Sequence, residues 1–176
     1  MPLPDGELDL LLADVELSLS AHGRDRIAVV WPRGADLLAR IVAGRRTAPA
    51  LADSNRGPSA RAVAARLADR LADRLGEPVT AAWRMLTGQA PGGPEVVYRT
   101  EWDTLLLSVR GALWVRVAPF DAGGDDSTAA AGRRPGPLRL RLRTGEAVYV
   151  PRGFMCEMSE VRKPTLLLEL SLPGTG

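Results

Sequence analysis

The sequence predicts a mainly β protein entered through N-terminal helices, and three observations carry that prediction. From Pro78 onward apolar residues fall in short runs of period two, rich in Val, Leu and Tyr. Gly, Pro, Asp and Thr separate most of these runs, the punctuation expected of a closed β-sandwich or barrel. Upstream, residues 59–75 change to the helical period, with Val63, Leu67, Leu71 and Leu75 on one face.

Taken in order, the first 25 residues stay open between two readings. Leu8, Leu10 and Leu12 alternate like a strand, while Leu8, Leu11, Leu12, Val15 and Leu19 fit a helical face. Arg26 to Trp31 reads as a buried strand closed by Pro32. Leu37, Leu38, Ile41 and Val42 predict a helix over Ala35–Ala43, ended by Gly44. Residues 45–58 form a connection, and Ser59 is the candidate N-cap of the next helix. Its outer face carries Arg66, Asp69, Arg70 and Asp73; the Arg-Leu-Ala-Asp repeat spans too few heptads for a coiled coil. Strands are expected at Val79–Leu86, Val96–Tyr98, Thr104–Arg110, Leu113–Ala118, Leu138–Arg143, Ala147–Val150, Phe154–Met158 and Thr165–Leu172. The long connection Asp121 to Pro137 has no motif and reads as mobile.

A chain of 176 residues suits one domain, here an N-terminal region over 1–76 and a β core over 77–172. At this length folding buries roughly 70% of the unfolded surface, enough for a real core. No apolar run approaches the ~18 residues of a membrane helix. Asp5, Glu7 and Asp9 replace the basic start of a secretory signal, and the single cysteine fits a reducing compartment, so a cytoplasmic protein is expected. A net charge of +2 is too mild to argue for nucleic acid. Lys163 is the only lysine; with abundant Arg and Ala this looks like the coding bias of a GC-rich genome more than chemistry.

Two segments define the β core: Tyr98-Arg-Thr-Glu-Trp-Asp-Thr-Leu-Leu-Leu-Ser-Val-Arg-Gly111-Ala-Leu-Trp114 and Gly145-Glu-Ala-Val-Tyr-Val-Pro-Arg-Gly-Phe-Met-Cys156. Together they resemble the JmjC-type branch of the cupin superfamily, in particular its bacterial ribosomal-oxygenase-like members. The resemblance covers about residues 76–172 and implies a double-stranded β-helix, the cupin jelly roll, behind N-terminal helices. In that family the first segment opens with His-x-Asp and the second ends in His. Those iron ligands fall here on Tyr98, Thr100 and Cys156. The family's Gly-x-basic-x-Trp stretch, which anchors 2-oxoglutarate, is one residue short in Gly111-Ala-Leu113-Trp114, with Arg110 and Arg116 flanking it. Asp103, Leu113, Trp114 and Arg116 are accordingly candidates for the pocket or its rim. Homodimerisation is expected by analogy with cupins.

Residue chemistry independently weighs against iron. A non-haem Fe(II) oxygenase uses two His and one carboxylate, and this chain holds one histidine, His22, outside the barrel segments. Tyr98, Thr100 and Cys156 offer a phenol, a hydroxyl and one thiol, a poor divalent site even with Glu101 and Asp103 nearby. No metal and no cofactor is therefore expected. Cys156 reads first as a small core residue, and as a reactive thiol only with a cationic neighbour. The lone histidine also leaves Cys-His and Ser-His-Asp catalysis without support. Gly92–Gly93 and Gly123–Gly124 lack the context of a phosphate loop. Leu138 to Arg143 alternates cleanly, placing Arg139, Arg141 and Arg143 on one strand face, with Arg133 and Arg134 upstream. That face reads as solvated, with acidic partners nearby, or as a stripe for an acidic partner.

The leading expectation is a non-catalytic pseudo-oxygenase that binds a peptide, protein or small ligand, as an accessory in a tailoring pathway. The alternatives are a metal-independent isomerase, cyclase or hydrolase, an atypical oxygenase, or a regulatory protein using the arginine stripe. Catalytic residues are unassigned.

Overall fold

A computed structural model describes residues 5–22, 25–43, 58–88, 94–120, 136–161 and 163–173. The mobile connection expected over Asp121 to Pro137 lies outside them except at its last two residues, as do Arg133, Arg134 and the side chain of His22.

The ambiguous N-terminus is a helix, α1 (Asp5–His22). Leu8, Leu11, Leu12, Val15 and Leu19 are buried, whereas Leu10 and Leu17 face solvent. Burying that i, i+3, i+4 stripe decides between the two periodicities. A short strand, β1 (Ala28–Val30), and α2 (Ala35–Ala43) follow. The third helix, α3 (Pro58–Leu75), starts at Pro58. Proline is preorganised for a first helical turn, so Ser59 lies inside the helix and the N-cap reading is corrected. Asp9 of α1 pairs with Arg70 and Arg74 of α3 at 2.9 and 3.2 Å.

Eight further strands complete the described elements: β2 (Thr80–Leu86), β3 (Val96–Arg99), β4 (Asp103–Arg110), β5 (Ala112–Pro119), β6 (Leu138–Arg143), β7 (Ala147–Val150), β8 (Phe154–Ser159) and β9 (Thr165–Leu172). They form two antiparallel sheets with orders β1-β7-β4-β9-β2 and β3-β8-β5-β6. Strands β2 to β5 alternate between the sheets, as do β6 to β9. This is the two-sheet jelly roll, a double-stranded β-helix.

The two sheets differ in what covers them. The first carries α1, α2 and α3 on its outer face, where Leu105, Leu107, Val109, Tyr149, Leu166, Leu168 and Leu170 pack with the helix stripes. Its central strands are buried on both faces, which is why β4 and β9 read as continuous leucine runs. The second sheet faces inward through Leu113, Val115, Val117, Leu142, Cys156 and Met158. Outward it presents Arg116, Arg139, Arg141 and Arg143, all exposed, which keeps its sequence alternating. Gly111 joins β4 to β5 at φ 90°, and a Cβ there would run into the Thr165 side chain, so only glycine closes this turn.

Candidate functional site

The three positions matching the family's iron ligands lie at one end of the sandwich, on β3 and β8 and just beyond β3. Tyr98 and Cys156 are direct cross-strand partners. Both turn inward and touch the core between the sheets.

Thr100 is committed to the backbone. Its hydroxyl lies 2.7 Å from the Pro151 carbonyl, to which it donates, and accepts from the Phe154 N–H at 3.1 Å. Its own amide and carbonyl bond to Phe154 and Gly153 at 2.9 and 2.8 Å. Asp103, the first residue of β4 and 49 positions from Arg152, accepts the Arg152 N–H at 2.8 Å. Thr100 and Asp103 therefore fasten the Pro151-Arg152-Gly153 turn, with Gly153 at φ 82°. The Thr100 hydroxyl is thereby committed to the turn.

The Tyr98 hydroxyl is different. It is buried and has no hydrogen-bond partner within geometric reach. Cys156 lies close enough for each group to perturb the other's acidity, without meeting hydrogen-bond geometry. Burial raises the Tyr98 phenol well above its ordinary range, and the neighbouring Cys156 and Glu169 add to the rise. Burial likewise pushes the Cys156 thiol up to about 12; contact with Tyr98 lowers it but Glu169 raises it again. Both groups are neutral near pH 7.

Two residues not singled out from the sequence complete this corner. Arg84 on β2 donates through Nε and Nη2 to one Glu169 oxygen on β9, at 3.0 and 2.7 Å. Its guanidinium sits over the Tyr98 ring, 5.1 Å from the centroid. Burial is the largest single influence and opposes the arginine's charge, but the Glu169 bonds together with charge attraction from Glu169, Tyr98 and Cys156 outweigh it and the net pKa is raised. The signal was present: Arg84 and Glu169 are each the only charged residue within their strands. A lone charge in an otherwise apolar strand must find a partner or stay wet.

The residues do not fit iron. A buried thiol, a buried phenol and the Thr100 hydroxyl, spent on the turn, supply neither the imidazoles nor the carboxylate that iron takes. Among the described residues no three His, Cys, Asp or Glu side chains converge as a metal site. Leu113 is a core residue between the sheets. Trp114 and Arg116 lie on the outer face of the second sheet, not at the pocket rim expected of them; Arg116 pairs with Glu157 at 3.2 Å. Arg139 pairs with Glu160 at 3.1 Å and stacks over Trp114, 4.8 Å from its ring centre.

No family model matches the sequence, and no curated protein matches it. Solved structures do align with it. RmlC from Streptococcus suis, solved with dTDP-D-xylose, has a TM-score of 0.40 at 10% identity, over 58% of this chain and 47% of its own. HEPD from Streptomyces albus, with 2-hydroxyethylphosphonate and Fe(II), gives 0.39 at 23% identity, over 55% and 18%. The ribosomal oxygenase YcfD from Escherichia coli gives 0.37 at 14% identity, over 57% and 24%. In each case this chain spans about half or less of the neighbour's length. Likenesses this weak carry no argument about activity. The strand orders decide the architecture. The fold is a two-sheet jelly roll. Among the described residues of this jelly-roll chain, no helix is long and apolar enough to cross a membrane.

Proposed function

We propose that this chain is a non-catalytic, JmjC-like cupin, a pseudo-oxygenase that binds a compact ligand at the Arg84–Tyr98 corner. One observation carries the reading: the three positions that match the iron ligands hold two neutral acids and a hydroxyl bound into a turn. Support for binding comes from the orphaned Tyr98 hydroxyl. A buried polar group without a partner costs about 1–3 kcal/mol, a penalty that a ligand carrying a hydrogen-bond acceptor would remove. Arg84, partly exposed beside it, favours an anionic or strongly polar ligand. The enzyme reading is weaker, because a thiol near 12 is almost wholly protonated at neutral pH and a poor nucleophile.

The test is metal analysis of protein purified without chelator, with calorimetric titration of Fe(II) and 2-oxoglutarate. Neither is expected to bind stoichiometrically; stoichiometric uptake of both would return the chain to the oxygenases. A thermal-shift screen of small hydroxy and keto acids should find stabilisers whose effect is lost in Tyr98→Phe.

A further inference from the structure

The outer face of the second sheet is uncovered among the described elements, and its edge strand β6 pairs only with β5. That face carries Arg99, Arg116, Arg139, Arg141 and Arg143, all exposed, on or beside β3, β5 and β6. Glu157 answers Arg116 and Glu160 answers Arg139. Arg141 and Arg143 have no carboxylate partner among the described residues.

The backbone of β6 adds a second feature. The Arg143 N–H bonds to the Glu146 carboxylate at 2.8 Å and its carbonyl accepts from the Glu146 N–H at 2.9 Å. Arg143 therefore directs its main-chain groups away from β5. By strand alternation the amides and carbonyls of Arg139 and Arg141 face the same open side. Arg139 and Arg141 thus combine outward guanidinium groups with backbone groups on the open edge, whereas those of Arg143 are taken by Glu146.

We infer that β6 is a docking edge for an extended acidic peptide, which adds as a further strand and sets its alternate carboxylates against Arg139, Arg141 and Arg143. The geometry supports this occupant. Alternate residues on a strand lie about 6.6–6.8 Å apart, so a partner strand repeats its side chains at the same interval as the arginines. Opposite charges directly across a strand pair attract, and guanidinium groups chelate carboxylates. Stacking on Trp114 holds Arg139 in place before the partner arrives. The same stacking competes with single-stranded nucleic acid, because Arg139 covers one face of Trp114 and Arg99 one face of Phe120. This docking does not depend on whether the barrel interior is active.

The experiment uses the full chain and a labelled peptide alternating Glu with Thr over about eight residues, long enough to span β6. Its affinity is read by fluorescence anisotropy at low and physiological salt. Three comparison probes are the same composition with its Glu in one block, the alternating peptide N-methylated on alternate amides, and an oligonucleotide of equal charge. The alternating peptide should bind about tenfold tighter than each of them, because only it combines register with edge hydrogen bonds. Arg141→Glu, at an exposed position, should weaken it about tenfold with circular dichroism unchanged. Equal binding of the N-methylated peptide would overturn strand addition. Tighter binding of the oligonucleotide, no binding of any peptide, or an unaffected Arg141→Glu would overturn the proposal as a whole.

Discussion

Replacing Arg84 by Met tests the polar corner most directly. Both of its hydrogen bonds end on one Glu169 oxygen, and Glu169 has only 15% of its side chain exposed against 36% for Arg84. Removing one member of a fully buried pair costs roughly 3–5 kcal/mol, because the other charge is left without compensation. Solvent reaches Arg84 and part of Glu169, so screening reduces the expected loss to about 2 kcal/mol. For a chain of this size that corresponds to a fall in Tm of about 4–8 °C. The assay is urea unfolding followed by tryptophan fluorescence, with Cm and m reported separately. Replacing both residues, Arg84→Met with Glu169→Met, removes the stranded carboxylate and should return stability to within about 1 kcal/mol of wild type. The reasoning is refuted if Arg84→Met alone stays within about 0.5 kcal/mol of wild type. It is refuted equally if the double variant is no better than the single one.

Tyr98→Phe should leave the ligand-free protein unchanged or raise its stability by up to about 1 kcal/mol, since the deleted hydroxyl has no partner to lose; a clear loss in the same unfolding assay would show that it has one. Thr100→Val should cost about 1–2 kcal/mol, because it removes the bonds to Pro151 and Phe154 and leaves those two backbone groups only their long 3.4 Å bond to each other. The Cys156 thiol is raised from 9.0 to about 12 in the folded chain, so its contribution to stability is fully present below pH 9 and declines as pH rises toward 12. Across that window the slope reaches about 1.4 kcal/mol per pH unit from this group, and Cys156→Ala should remove that part. An aromatic disulfide reagent at pH 8 should label Cys156 only after unfolding; rapid stoichiometric labelling of native protein would contradict its burial.

The residues alone determine much of this molecule. Alternating Leu and Arg in β6 are readable as a half-buried strand, and Val63, Leu67, Leu71 and Leu75 as one helix face, because local period reports which side must leave water. A single histidine removes two-histidine coordination whatever the fold. Other features were decided only in three dimensions. Leu8 to Leu19 is helical because the stripe docks against α3 and the sheet, a partner invisible to local period. Trp114 points outward because β5 alternates against a packed interior, and Thr100 is fixed by a turn 51 residues away in sequence. Arg84 and Glu169 meet because β2 and β9 are neighbours in one sheet, although 85 positions separate them. Sequence carries the tendency of each segment to bury a face; which polar groups then converge depends on strand order, which is set by packing across the whole chain.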